Sequence, residues 1–349
     1  MYFVRTWAGV LLLCAAAVGS LTSSEIPEGA TLGRIGLVEV DRSVAAAISA
    51  AALVALADVK DASVTLAMHD PAKGPWDGTG TAIARMLDGD PLVALVGATD
   101  GATAHIAAQI ATRRRIPLFT LSPEDTLTRA FDPWIFRVVP GDEEQAHTLL
   151  RRFAPRRPDP ARAIVVVPSG RGGRERLASV RRACVATNVE ISAVLHTEDG
   201  HLPSLEPPVS DLMLLWLDAG PARTALNRLQ RELAPARLLG STRLDDPRFL
   251  EHLPTWTEGR LALPLIRTAD ETARDGESVT TAVTHDLVRA IARATANGAE
   301  AAAVREILAS TGVPGLRSVS FGFDERGNRV GRIPIGLFSR GRLIPASEE

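Results

Sequence analysis

Short, mostly apolar runs alternate along the chain with longer segments in which apolar residues recur every three or four positions. Arg34–Val40 (RIGLVEV), Ser63–Met68 (SVTLAM), Leu92–Val96 (LVALV) and Pro117–Thr120 (PLFT) read as strands. Val44–Ala57, Gly78–Leu87 and Ala102–Arg114 read as the helices between them. Apolar strands separated by helices of roughly 10–15 residues predict a parallel sheet covered on both faces.

The pattern then restarts. A helix is predicted over Asp142–Phe153, followed by a Pro/Arg-rich surface connection, 154–162 (APRRPDPAR). Strands at Ala163–Val167, Glu190–His196 and Asp211–Leu217 alternate with helices at Arg174–Thr187 and Ala222–Leu233. Arg237–Gly240 and Gly259–Leu263 read as short strands, Val279–Ala296 and Glu300–Ser310 as helices, and Val319–Phe323 and Ile333–Phe338 as strand-like ends. The fold class predicted is α/β, in two blocks of similar size with no close repeat between them.

Residues 1–24 break this pattern and read as an export leader. One charge, Arg5, precedes the apolar run Trp7–Val18, and Ala17, Val18 and Gly19 fit a small-residue cleavage site before Ser20. The run falls short of the roughly 20 residues a spanning helix needs. Cys14 opens a second option, lipid attachment, although Leu13 is larger than a lipoprotein signal wants before its cysteine. The remaining cysteine, Cys184, falls in a helical apolar pattern with Leu177 and Val180 and reads as a buried small hydrophobe.

Composition narrows the function classes. The 349 residues are 46% hydrophobic and 23% charged, with net charge −2, so neither long disorder nor a sequence-wide affinity for nucleic acid is indicated. Two cysteines are too few for a disulfide framework or a Cys-built zinc site. The seven histidines fall in no metal-ligand spacing, and no GxSxG elbow occurs. No set of nucleophile, base and oxyanion donors assembles, so the chain reads as a non-enzyme without cofactor or metal. Pro168–Arg174 (PSGRGGR) resembles a phosphate-cradling loop but lacks GxGxxG and the Walker lysine, and a plain strand-to-helix turn is favoured. His285–Asp286, on a helix, reads as a packed or capping pair rather than a dyad.

Two turns fit a binding role better. Gly97–Thr103 (GATDGAT) and Thr120–Thr128 (TLSPEDTLT) follow adjacent predicted parallel strands. Open α/β sheets bind ligands beyond the carboxyl ends of their strands. Both turns offer hydroxyls, a carboxylate and free N–H groups; ordinary helix capping accounts for the same residues.

These turns also carry a resemblance. GATDGAT, then I-P-x-x-x-x-S-P (116–123), then F-R-x-x-P-x-D-x-x-Q (136–145), resemble the type I periplasmic solute-binding proteins, in the leucine/isoleucine/valine-binding branch that serves ABC transporters. EGRLALP (258–264), THDLVRAIARA (284–294) and the terminal GFDERGNRVGRIPIGLFSRGRLI (322–344) continue the likeness in order.

The resemblance implies two Rossmann-like lobes joined by three crossovers, with a small polar, amino-acid-like solute held between them. The lobes are expected at 32–140 plus 268–318 and at 141–267 plus 319–345. Position by position, the first-lobe site falls at Asp100, Gly101, Ala102 and Thr103, and at Ser122, Asp125 and Thr126. Gly101 replaces the relatives' ligand-binding Ser, whereas Thr126 matches. In the second lobe Arg171 and Gly172 stand where relatives carry Tyr-Gly, Thr242 stands near an expected acid, and His285 replaces a tyrosine. A helix after Pro264 is missing. The partners implied are a small molecule and an ABC permease, with no nucleic acid, for a monomer secreted to the periplasm. A ligand-sensing or scaffold protein on the same fold is the alternative.

Overall fold

The computed structural model describes residues 33–60, 62–68, 78–89, 91–198, 210–229, 237–268, 277–296, 298 and 300–346. The predicted leader 1–24, with Cys14, and the predicted helix end 230–233 lie outside the described residues.

The first sheet has five parallel strands, β1 (Gly33–Val38), β2 (Val64–Met68), β3 (Leu92–Gly97), β4 (Leu118–Thr120) and β5 (Ile135–Arg137), in the order β2-β1-β3-β4-β5. Every residue of β3 is buried, as its unbroken LVALVG run predicts for a strand with helices on both faces. On one face Ile35, Val96 and Phe119 pack with helices α1 (Arg42–Ala57), α8 (Val279–Thr295) and α9 (Ala301–Thr311). On the other, Leu92, Leu95 and Leu118 pack with α2 (Thr79–Leu87) and α3 (Gly101–Arg114).

The second sheet has seven strands: β6 (Ala161–Pro168), β7 (Val189–Thr197), β8 (Leu212–Leu215), β9 (Arg237–Gly240), β10 (Leu261–Pro264), β13 (Ile335–Ser339) and β14 (Arg342–Pro345). Its order is β14-β13-β10-β9-β8-β6-β7, and only β13 and β14 run antiparallel to their neighbours. Helices α4 (Asp142–Phe153) and α5 (Gly170–Ala186) cover one face, α6 (Ala219–Arg228) and α7 (Pro247–Leu250) the other. Its five parallel strands repeat the order of the first sheet. The two units therefore share one winding, and each has a switch point, between β1 and β3 and between β6 and β8, where crossovers diverge to opposite faces.

Two sequence expectations are corrected, and one strand was not anticipated. β5 is a strand that three residues of pattern do not reveal. Helix α5 starts at Gly170, not Arg174, so GRGGR lies inside the helix and forms no phosphate loop. A Cβ at Gly173 would stand 1.6 Å from the Pro168 carbonyl, so glycine lets the helix leave the strand this closely. Finally, 319–345 does not lie wholly with the second unit. Phe323 of the hairpin β11 (Gly322–Phe323) and β12 (Arg329–Val330) packs on Phe119 and Phe136 of the first sheet, with Phe136 and Phe323 centroids 5.0 Å apart, and Phe321, just before the hairpin, meets Phe323 edge-on in the same core. Buried Arg329 fixes the hairpin, donating to the carbonyls of Val138 at 2.8 Å and Val319 at 2.9 Å over the Phe321 ring.

Candidate functional site

The turns after β1 and β3 are held together by a buried carboxylate. Glu39 Oε1 accepts from the N–H groups of Val40 (2.8 Å) and Asp41 (3.2 Å), and Oε2 from the Thr99 N–H (2.9 Å) and hydroxyl (2.7 Å). Gly97 makes the approach possible: its φ is 128°, and a Cβ there would stand 2.2 Å from the Val38 carbonyl oxygen. Asp41 then caps α1, accepting from the N–H groups of Ser43 and Val44, and Asp100 caps α3, accepting from Thr103 N–H at 2.9 Å.

These turns form one wall of a cleft of about 510 Å³. The facing wall comes from the second unit: Arg176 on α5, Asp218 before α6, and Thr242–Arg248 after β9. Ser278 and Thr280, at the start of α8, complete the rim. The first wall is acidic, through Glu39, Asp41 and Asp100. The second alternates in sign: Arg176 meets Asp218 at 3.0 Å, and Arg243 grips Asp142 through two N–H groups at 2.6 and 3.2 Å. The Ser43 hydroxyl and neighbouring N–H groups, with Arg248 across the cleft, hold the Asp41 carboxyl below its usual range against the effect of burial. Asp100 Oδ2, buried, finds no hydrogen-bond partner among the described residues.

Of the residues singled out from sequence, Asp100 and Thr242 line this cleft. Thr242 is nearly buried, and its N–H donates to Gln145. Gly101, Ala102, Thr103, Ser122, Asp125, Thr126 and Arg171 are not among the cleft-lining residues. Gly101 and Ala102 open α3, and Thr103 is fully buried behind them. Buried Ser122 stays within its own turn, accepting from Glu124 N–H at 3.4 Å. Thr126 donates to Glu124 and lies 3.0 Å from His105 Nε2. Arg171 is exposed on the first turn of α5, and its charge acts on Glu124. Burial works to raise the Glu124 carboxyl, but His105, Thr126 and Arg171 outweigh it and hold it below the usual range.

Glu124 itself was not legible as a site residue. A Cβ at Gly101 would stand 1.6 Å from Glu124 Oε2, so Glu124 occupies the space in front of the α3 N-terminus. Asp125 faces away from the cleft, bonded to Arg137, Ser179 and the Glu143 N–H. His285 is fully buried between Asp58 and Asp286, each at 3.0 Å from one ring nitrogen, as a packed group away from the cleft. The cleft residues that sequence reasoning missed are Asp41, Ser43, Arg176, Asp218 and Arg243. For Asp41, Ser43 and Asp218 a signal existed, because each follows a predicted strand of the sheet and caps or precedes a helix.

Comparison with known proteins agrees with this architecture. A family model described as periplasmic binding protein matches residues 34–209. An ABC transporter substrate-binding protein from Desulfitobacterium hafniense, in complex with Leu, superposes with TM-score 0.70 at 16% identity, covering 90% of this chain and 99% of that one. A branched-chain amino acid ABC transporter protein from Thermus thermophilus with bound valine gives 0.73 at 17%, covering 90% and 94%. A solute-binding protein from R. palustris in complex with benzoate gives 0.70 at 15%, covering 89% and 94%. No curated protein matches the sequence. With two like-wound sheets, paired switch points and a family match over half its length, the chain belongs to the periplasmic binding protein family, as a divergent type I member.

Proposed function

We propose that this protein is an extracytoplasmic solute-binding protein of an ABC transporter, taking a small polar, amino-acid-like solute between two lobes. The observation that carries the reading is the cleft of about 510 Å³, lined from both units where the winding of each sheet reverses. In this reading the described residues of 33–140 and 268–330 form one lobe and those of 141–267 and 331–345 the other. Asp41, Asp100 and Thr242 contact the solute, and the lobes close over it by hinge motion. The leader 1–24 is removed on export near Gly19, which intact-mass measurement of the secreted protein checks.

A thermal-shift screen of the purified protein tests the reading, since a ligand that binds only the folded state raises the melting temperature. Amino acids and aromatic carboxylates are the panel, because the similar proteins carry Leu, valine or benzoate. At least one compound is expected to give a saturable rise that Asp100→Ala removes. A response in which Asp100→Ala and Thr242→Ala change nothing overturns the cleft assignment.

One observation favours the alternative, a sensor or scaffold on the same fold not linked to transport. Glu124 already lies against Gly101 at the α3 N-terminus, where a solute anion is otherwise stabilised. A silent panel with wild type, and silence again with Glu124→Ala, is the result expected of a scaffold.

A further inference from the structure

A second crevice, of about 320 Å³, shares no lining residue with the cleft. It is built where the two units meet behind Asp125. Arg129 follows the 3-10 turn Asp125–Leu127, Arg137 ends β5, Arg182 projects from α5, and Arg326 sits at the tip of the β11–β12 hairpin. Four guanidiniums thus face two carboxylates, Asp125 and Glu143.

The carboxylates are already engaged. Asp125 Oδ1 accepts from Arg137 at 2.9 Å; Oδ2 accepts from Ser179 at 2.6 Å and from Glu143 N–H at 3.1 Å, with Arg182 at 3.5 Å. Glu143 is bonded to Arg182. Arg129 and Arg326 have no carboxylate within ion-pair distance among the described residues. Arg137 is 5% exposed, and while its terminal nitrogens bind Asp125 and Asn328, its buried Nε has no partner. The two positive charges in surplus are met by one small dianion.

We propose that this crevice binds a small dianion of the phosphate type. Guanidinium forks match the oxygens of such a group pairwise, and its two charges equal the surplus. The site draws Arg182 from the second unit and Arg129, Arg137 and Arg326 from the first, so a bound dianion bridges them beside the Ser179–Asp125 hydrogen bond. It thereby stabilises the arrangement of lobes described above and couples to any cleft ligand that prefers the same arrangement. This inference stands independently of the solute-transport reading.

The test is titration of the full chain with inorganic phosphate at low ionic strength, by calorimetry and thermal shift, beside the Arg129→Ser/Arg326→Ser double variant. Both residues are exposed, so the variant is expected to keep its fold, which circular dichroism checks. Saturable binding by wild type, weakened roughly tenfold or more in the variant, is the expected result. The proposal is overturned if wild type gives no saturable response, if the variant binds equally well, or if sodium chloride at matched ionic strength reproduces the shift.

Discussion

Ser179 donates its hydroxyl hydrogen to Asp125 Oδ2 at 2.6 Å, tying a helix of the second sheet to a turn of the first. The same carboxylate neutralises Arg137, whose side chain is only 6% exposed. The two partners therefore carry very different costs. Ser179→Ala removes two hydrogen bonds, the one given to Asp125 and one accepted from Arg182 at 3.2 Å, while Arg137 keeps its charge partner, and is expected to lower stability by about 1–2 kcal/mol. Asp125→Ala strands a buried guanidinium and is expected to lower it by about 3–5 kcal/mol. Urea unfolding of the two variants measures the difference, and equal losses contradict the assignment.

Asp245 predicts an unusual pH dependence. Burial pushes its carboxyl up to about 6 against the opposing pull of Arg267. The folded state therefore holds this proton more tightly than the unfolded chain, whose carboxyl titrates near 3.8. The contribution to stability is complete below that lower value and is lost as pH rises through about 6. The full effect is at most about 3 kcal/mol. Unfolding of wild type and Asp245→Asn between pH 4 and 7 is expected to show wild type losing ground to the variant as pH rises. A constant difference contradicts the raised value.

Cys184 is 2% exposed, and burial pushes its thiol up to about 11. The thiolate is the reactive form. Thiol reagents at neutral pH are expected to leave Cys184 unmodified in the folded protein and to label it stoichiometrically in denaturant, as read by intact mass. Rapid labelling of the native protein would place the residue elsewhere.

The cleft is expected not to bind leucine, isoleucine or valine tightly. Among the described residues its walls contain no aromatic side chain, and the single tyrosine of the chain, Tyr2, falls within the leader reading. An aromatic wall contributes large apolar contact at small entropy cost, so its lack weakens a grip on branched aliphatic chains. Calorimetry with the three amino acids checks this. A dissociation constant below about 1 μM for any of them, equivalent to roughly 8 kcal/mol of binding, refutes it.

What the sequence determined is local or periodic. The buried runs of β1, β3, β6 and β8 announce themselves because a strand covered on both faces must be apolar along its whole length. The alternation with amphipathic helices then restricts the fold to parallel, doubly wound sheets, and Asp100 was legible because a capping residue after a strand is a local pattern. Tertiary structure alone decided the rest. The cleft joins Asp41, Asp100, Asp218, Thr242 and Ser278, separated by tens to hundreds of residues, and no period along the chain records which turns will face one another. Asp125 and Glu124 are adjacent, yet one turns to Arg137 and Ser179 and the other lies against Gly101. That choice depends on where distant arginines deliver their charge. The hairpin carrying Phe323 shows the same limit: 319–323 read as strand-like but Arg329–Val330 did not, and which core receives the rings was set by Phe119 and Phe136 leaving an aromatic surface on the first sheet. Hydrophobic patterning says that a face must be buried; shape and charge complementarity in three dimensions say against what.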